Sequence, residues 1–414
     1  MLGLAAFGFD LSIRRGYMQL DEALDLILGH APAPGRQMVP LKDSFGRICT
    51  ENNRSRQPLP GYDQSTRDGY AICGIGEAAE GGGQAFTIEG EIQAGFCQKV
   101  EIEPGQAYRI MTGGLLPVGA ERVIAQEDCR VSGTELIVDG ISLAGPSRFI
   151  RRRGSEHLSR ELLVEPGTRL NEYHLSLLAA AGNSSVEVYQ RPRVAFFCSG
   201  SELVMSEGKL ENGQKYSSNH LLLENLVNKF GGRAEGYGVI ADDRTAIRKL
   251  LTSIKRSAAD IVISTGGVGP GKYDLFGELL PEEGTQILYR SLQVRPGRST
   301  LFGLLGDKLY FGLPGPPSAV RILFLELLGP LLKKMQGMRL FYNQRLTGFL
   351  EHAVALKSAD VLCFKDGRYR LEAGRVMVGY PGKNQAPNCS IMMLPDRVSY
   401  EPEDQITISL AQPD

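Results

Sequence analysis

Residues 17–30, YMQLDEALDLILGH, place Leu20, Ala23, Leu24, Ile27 and Leu28 at helical spacing, and APAPG then ends the pattern. The spacing predicts one amphipathic helix with a single apolar stripe. From about 52 to 145 the text changes to short alternating runs separated by glycine and proline: AFTIEGEIQAG, VEIEPGQAYRI, ERVIAQEDCRV and TELIVDG. Alternation with period two, broken by turn residues, predicts a small antiparallel β domain. From about 190, apolar runs without alternation, RVAFFCS and DIVIST, take turns with helical stretches. Leu222, Leu226 and Val227 mark one helical stripe that ends at Gly231, and Ile247, Leu250, Leu251 and Ile254 mark a second. A third, PPSAVRILFLELLGPLLKKM, opens with prolines where a missing N–H costs little. Strand, helix, strand, helix, with the strands apolar on both faces, predicts a doubly wound, mostly parallel α/β sheet. After Gly337 alternation returns without long helices, in YRLEAGRVMVGY, CSIMMLP and QITISL, which predicts a terminal β module.

The chain therefore reads as a multidomain α/β plus β protein. The expected division is a disordered leader over 1–16, then a discontinuous helical linking domain over 17–51 and 141–185. A β-rich domain follows over 52–140, an α/β domain over 186–336 and a β domain over 337–414. A length of 414 residues agrees with several domains of roughly 100 to 200 residues each.

Charge and composition remove several classes of function. Lys plus Arg number 46 against 47 Asp plus Glu, so no whole-chain field draws the protein to nucleic acid or an anionic membrane. Any anion it binds must be met by a local cluster. The opening MLGLAAFGFD lacks the basic region and small-residue cleavage site of a signal peptide. The longest later apolar stretch is broken by Glu326 and Pro330, short of the ~20 residues a membrane span requires. Seven scattered cysteines without a C-x-x-C pair point to reduced thiols in the cytoplasm rather than to a disulfide framework or a zinc site.

In a parallel sheet, ligands sit beyond the carboxyl ends of the strands, so the residues just after each buried run are the informative ones. Four such tips occur: SGSEL (199–203), ADD (241–243), TGGVGPGKYD (265–274) and LPGPP (313–317). Glycines such as Gly266 and Gly267 let backbone N–H groups approach an anion, and Glu202, Asp242 and Asp274 set carboxylates among them. Gly266, Gly271 and Lys272 imitate half of a nucleotide-triphosphate loop, but Tyr273 stands where a small hydroxyl should hold magnesium, so triphosphate hydrolysis is not expected. Outside this domain, PGYDQSTRDGYAI (60–72) gathers Asp63 to Asp68 in a turn-rich loop, and Thr112 precedes a Gly-Gly turn. RFIRRRGSE (148–156) concentrates Arg148, Arg151, Arg152 and Arg153 beside Gly154, a grouping that suits either a solvated face or a doubly charged oxyanion.

Taken together these segments resemble the MoeA/gephyrin family, the molybdopterin molybdenumtransferases. DQSTRDGYAI stands against the family's D-N-S-A-M-D-G-Y-A, RIMTGGLLPVGAERVIAQED against R-I-x-T-G-A-x-x-P-x-G-A-D-x-V-x-x-Q-E, and LPGPPSAV against L-P-G-N-P. The match runs collinearly from about residue 17 to 412. The resemblance implies an elongated subunit with a barrel-like last domain. It also implies a homodimer whose site lies between the α/β domain of one subunit and the β-rich domain of the other. Adenylylated molybdopterin and molybdate are the implied substrates, with Mg²⁺-assisted release of AMP; a molybdopterin adenylyltransferase and molybdoenzyme apoproteins are the implied partners.

Carried over by motif, the catalytic positions are Asp68, Thr112, Glu202, Asp242 and Asp274, of which the last three are the metal ligands. Ser199, Gly200, Ser201, Gly266, Gly267, Gly269, Lys272, Arg295, Pro314, Gly315 and Pro317 fall at substrate-binding positions, and Arg151, Arg152, Arg153 and Arg298 at oxyanion positions. This chain departs from the pattern as well. Ser201 replaces an aspartate, Gly269 a serine, and LPGPP lacks the asparagine of L-P-G-N-P; Arg295 and Arg298 stand for lysines, and Glu156 lies about where an aspartate is expected. These exchanges keep two alternatives open: a non-catalytic relative that carries molybdopterin or a nucleotide, or an insertase that prefers tungstate.

Overall fold

A computed structural model describes residues 17–75, 83–95, 98–144, 149–269, 275–395 and 397–410, which form two compact units. The expected leader over 1–16 lies outside the described residues.

The first unit spans 38–188. Its six-stranded sheet has the order Arg122–Ala125, Gly69–Ile72, Gln106–Ile110, Gln84–Ile92, Glu135–Val138, Cys129–Ser132. Tyr70, Ile72, Phe86, Ala107, Ile124, Leu136 and Val138 fill one core cluster, and Ala71, Ile92, Ile110, Leu116 and Val123 fill another, so neighbouring residues of one strand serve different clusters. The sheet is not wholly antiparallel as expected, because Gln84–Ile92 and Gln106–Ile110 pair in parallel. The stretch 93–105 between them has the length of a crossover, whereas an antiparallel pair needs only a short turn. The chain on either side of this sheet pairs with itself: Asn53–Arg54 with Leu162–Val164, and Gln64–Ser65 with Ile150–Arg151. Helix Glu172–Ala180 starts at Asn171, whose side chain accepts from the His174 N–H at 3.0 Å. Leu178 from that helix joins Leu41, Cys49, Val164 and Leu170 in a separate small core.

The second unit holds residues 17–37 and 189–410. Its six-stranded sheet has the order Arg233–Ile240, Arg193–Ser199, Ile261–Thr265, Lys308–Leu313, Leu301–Leu305, Thr285–Tyr289. The first four strands are parallel, and the last two add an antiparallel edge. Along one strand Val194 and Phe196 belong to one core while Ala195 and Phe197 belong to another, which is why RVAFFCS reads as continuously apolar. Helix Ser218–Lys229 covers the first face with Leu223, Leu226 and Val227, and helix Arg244–Lys255 covers the other with Ile247, Leu251 and Ile254. Each such side chain taken from water contributes about 1.5–3 kcal/mol, so the four tips of the parallel strands are held by a rigid frame.

Helix Leu20–Gly29 inserts its stripe into the first of these cores. Residues 17–37 thus pack with the α/β sheet, and the discontinuous linking domain expected over 17–51 and 141–185 contributes to the first unit only from residue 38 onward. The physical reason is the stripe itself: Leu20, Ala23, Leu24, Ile27 and Leu28 are buried beside Leu327, Leu328, Leu331 and Leu332 of the last α/β helix.

Beyond residue 337, five strands close on themselves. Leu362–Glu372 pairs with Arg375–Gly379, that strand with Gln344–Leu350, then Gln405–Leu410, then Cys389–Met393, which returns to Leu362–Glu372. Leu350, Val378, Ile391, Met393, Ile406 and Ile408 fill the interior of this closed barrel. Strand Val294–Arg295 joins the same sheet, paired in parallel with Leu362 and Cys363 at the start of Leu362–Glu372.

Candidate functional site

In the α/β unit the expected positions gather at the carboxyl edge of the sheet. Ile261–Thr265 ends in Gly266 and Gly267, with φ of +88° and +65°. A Cβ on Gly266 would lie 2.4 Å from the Ser199 carbonyl oxygen, and one on Gly267 2.6 Å from the Phe276 ring. Both positions therefore require glycine, which leaves backbone uncovered at the strand tip. Gly269 is half-buried at the end of the described part of this loop, while Lys272 and Asp274 lie outside the described residues.

The neighbouring tips supply the charge. The Ser199 hydroxyl donates to Asp242 Oδ1, and the Ser201 N–H donates to Oδ2 at 3.3 Å. In return the Asp242 N–H donates to the Ser201 hydroxyl at 3.2 Å. The exchange that removes a carboxylate at position 201 thus leaves a hydroxyl that orients Asp242 and takes away a like charge beside it. Adjacent Asp243 serves the helix instead, its Oδ1 capping Arg244–Lys255 at the Ala246 N–H, 2.8 Å away. Glu202 is about half exposed, and its Oε1 lies 3.2 Å from Lys215 Nζ. Lys215 reaches it because Lys215–Tyr216 pairs in parallel with Leu203–Val204.

The LPGPP tip is tied to this edge by Asn219, a residue that sequence reasoning missed. Its Nδ2 donates to the Gly315 carbonyl at 2.8 Å and approaches Thr265 Oγ1 at 3.5 Å. The amide bridges the tips of two strands that are far apart in the chain, whereas S-S-N before a helix reads as an ordinary cap. Pro314 is half-buried, Gly315 is exposed, and Pro317 opens helix Pro317–Leu323, where its ring fits the first turn.

Arg295 and Arg298 belong to a second cluster beside the barrel. Arg295 Nη1 donates to Ser358 Oγ at 2.9 Å, and Arg298 Nη2 lies 3.5 Å from Asp360 Oδ2. Arg298 also stacks on the Tyr17 ring at 4.6 Å. The Ser358 hydroxyl holds the Asp360 carboxyl below the usual carboxylate range, with help from the two guanidiniums. Asp360 was not legible as a partner, since more than sixty residues separate it from either arginine.

In the first unit three loops converge. Asp68 Oδ1 accepts from both the N–H and the hydroxyl of Thr112, each at 2.7 Å. The buried Ser65 fixes this loop: its hydroxyl donates to the Arg67 carbonyl at 2.6 Å, and its own carbonyl accepts the Gly113 N–H at 2.8 Å. Asp63 takes Arg152 Nη1 at 2.6 Å and the Arg153 N–H at 2.7 Å, and Arg151 pairs with Glu156 at 3.1 Å. Arg151 and Arg152 are thus partly neutralised by carboxylates within their own loop system, while Arg148 lies outside the described residues.

The two Thr112 donors, the backbone N–H before the hydroxyl, hold the Asp68 carboxyl below its ordinary range. A depressed carboxylate contributes stability above its unfolded pKa, and that contribution is lost as pH falls through the depressed folded value. Thr112→Val removes the hydroxyl and keeps the N–H, so the Asp68 pKa should rise toward the ordinary value. A carboxyl-carbon NMR titration of labelled protein checks it, and an unmoved pKa would mean the hydroxyl does not matter.

Among the described residues no group of three His, Cys, Asp or Glu side chains is arranged to hold a metal ion. The donors that are present, Glu202 and Asp242, are hard carboxylates of the type that binds Mg²⁺ together with substrate phosphates and water. Glu202 is paired with the Lys215 ammonium, which a metal ion at that carboxylate would displace. No described helix is long and apolar enough to cross a membrane.

Known proteins share this arrangement of domains. Residues 18–182 match the family model of the MoeA N-terminal region, domains I and II, and residues 195–334 match a probable molybdopterin binding domain. A molybdopterin molybdenumtransferase from Nostoc sp. is 34% identical over 307 residues, covering 73% of this chain and 70% of its own. One from Haemophilus influenzae is 28% identical over 401 residues, covering 94% of this chain and 98% of its own. A crystal structure of a molybdopterin biosynthesis MoeA protein from Pyrococcus horikoshii superposes with a TM-score of 0.78 at 26% identity, over 96% of this chain and 100% of that one. Sequence, domain order and fold agree over nearly the whole length, and the chain belongs to the MoeA family of molybdopterin molybdenumtransferases.

Proposed function

We propose that this protein inserts molybdate into adenylylated molybdopterin and releases AMP. The observation that carries the reading is a carboxylate, Asp242, oriented by Ser199 and Ser201 at the carboxyl edge of a parallel sheet, next to a tip that only glycine can form. In such a site the Gly266–Gly267 backbone approaches the phosphate, and the LPGPP loop, tied down by Asn219, borders the same edge. Glu202 and Asp242, with Asp274 as the family position, are the residues that would hold Mg²⁺, whose charge offsets that of the phosphoanhydride. Water adds to one phosphorus of the anhydride as the bridging oxygen leaves with the other, which separates AMP from the pterin phosphate, and the two dithiolene thiols replace one oxygen of the oxyanion, which leaves with their protons as water. Asp68, fixed by Thr112, is proposed to position substrate rather than to exchange a proton, because its depressed pKa keeps it ionised. We extend the reading to a homodimer working in the cytoplasm.

The test is reconstitution. Purified protein with adenylylated molybdopterin, Mg²⁺ and molybdate should release AMP and yield metal-loaded cofactor that activates an apoenzyme. AMP release no faster than a no-enzyme control would overturn the proposal. A parallel reaction with tungstate measures the metal preference.

A further inference from the structure

Tyr62 lies in the turn-rich loop that leads to Asp68, and 41% of it is exposed. An exposed side chain normally changes rotamer freely. This one is held at its far end, where the hydroxyl donates to the Gly113 carbonyl at 3.2 Å. Its backbone is pinned on both sides as well: the Gly154 N–H donates to the Pro60 carbonyl at 2.9 Å, and the Leu116 N–H to the Asp63 carbonyl at 2.9 Å. Fixing such a side chain costs rotamer freedom, and a single exposed hydrogen bond returns about as much as it costs, so the fixed ring gains the fold little.

The place where the ring is fixed gives it a use. Gly113 follows Thr112, whose N–H and hydroxyl both donate to Asp68 Oδ1. The tyrosine hydroxyl and the Asp68 carboxylate therefore engage adjacent residues of one turn. Asp68 is exposed, and Thr112 engages Oδ1, which leaves Oδ2 as an acceptor. Held below its ordinary range by these bonds, the carboxyl is ionised at neutral pH and accepts hydrogen bonds without donating them. A fixed, exposed aromatic ring and a pure acceptor on the same turn suit a planar heterocycle that carries donors on one edge. The substrate of the proposed reaction has two heterocycles. A pterin presents N3–H and a 2-amino group side by side, both donors, whereas the amino group of adenine lies beside a ring nitrogen that is itself an acceptor and repels a carboxylate.

We propose that Tyr62 and Asp68 together receive the pterin of the substrate, its pyrimidinone ring stacked on the phenol and its N3–H and 2-amino edge turned to the carboxylate. The site follows from adenylylated molybdopterin being the substrate, as proposed above, and adds the residues that hold its ring. The Tyr62 hydroxyl, tied to Gly113, sets the plane of the stack, and Thr112 sets the carboxylate against which the edge is read.

Steady-state AMP release by the full chain at varied adenylylated molybdopterin separates stacking from a merely structural role. Tyr62→Leu should raise KM about tenfold and leave kcat within about twofold, because a stacked ring holds the substrate alike before and during the reaction. Tyr62→Phe loses the hydroxyl bond but keeps the aromatic face, so its KM should stay within about twofold of the parent. Equal KM values for Tyr62→Leu and Tyr62→Phe would reduce Tyr62 to a staple of its loop and overturn the proposal. A second readout needs no turnover. The proton NMR signal of neopterin H7 should move upfield with the parent and with Tyr62→Phe, through the ring current of the stacked side chain, and stay in place with Tyr62→Leu. Asp68→Asn, which sets an N–H₂ group against the pterin's donors, should shrink that movement. No movement of H7 with the parent, or an upfield shift of the adenine protons of AMP in its place, would overturn the assignment. Absence of AMP release from the parent would sink the proposed reaction and leave the neopterin signal to decide this site.

Discussion

Asp242→Asn is expected to lower the rate of AMP release by about 10²–10³-fold, the loss typical when one preorganised electrostatic partner of a reacting phosphate is removed. Asparagine keeps the shape but removes the charge, and it turns one acceptor into an N–H₂ group facing either the Ser199 hydroxyl or the Ser201 N–H. The neighbouring substitution Asp243→Asn supplies the contrast. That side chain caps a helix through Oδ1, and asparagine caps about as well, so turnover should stay within about twofold of the parent. Steady-state AMP release from the two variants, with circular dichroism to show that both are folded, decides the matter. Equal rates for Asp242→Asn and the parent would remove Asp242 from the reaction.

Gly266→Ala should destabilise the α/β unit by about 3–5 kcal/mol, among the larger effects of a single methyl group. Two penalties combine. A left-handed backbone conformation costs a non-glycine residue of order 1–3 kcal/mol, and the new Cβ would lie 2.4 Å from the Ser199 carbonyl oxygen, a backbone atom within a central strand. Gly238→Ala separates the two, because Gly238 has a φ of +79° but nothing within 4 Å of the added Cβ, so about 1–2 kcal/mol is expected there. Urea unfolding followed by far-ultraviolet circular dichroism should show a clearly larger midpoint shift for Gly266→Ala. Equal shifts would mean that the Ser199 carbonyl yields without cost, and that closeness at this tip is not what demands glycine.

Features written in local periodicity were legible before any coordinates. The parallel core of the α/β unit shows in RVAFFCS and DIVIST because a strand covered on both faces must be apolar at successive positions, and the stripes Ile247, Leu251, Ile254 and Leu226, Val227 show because a helix covers one face. The strand tips follow from the same text, and so does their carriage of glycine and carboxylate. The pairing of Asp68 with Thr112 was legible only as two positions of one family, forty-four residues apart.

What stayed hidden depends on who meets whom. The stripe of helix Leu20–Gly29 states that a partner exists, but any apolar surface would satisfy it, and the partner is the helix through Leu331 some three hundred residues later. Alternation over 84–110 is identical for parallel and antiparallel neighbours, so the parallel pair could not be read. Lys215 beside Glu202, Asn219 across two strand tips, and Asp360 beneath Arg298 each join residues that chain distance separates. Glu326 is the sharpest case: in the sequence it interrupts an apolar run as a solvated charge would, and in the fold it is a buried acid on a cavity wall.

By itself, then, the sequence determined the element types, the order of domains and the carboxylates and glycines at the strand tips, since these follow from interactions among residues within a turn or two of one another. The tertiary structure decided the strand neighbours at the sheet edge, the closure of the barrel, the partners of Asp63, Glu202 and Arg298 and the burial of Glu326. Those outcomes rest on contacts between distant segments, where shape and desolvation select one partner among many that local pattern allows.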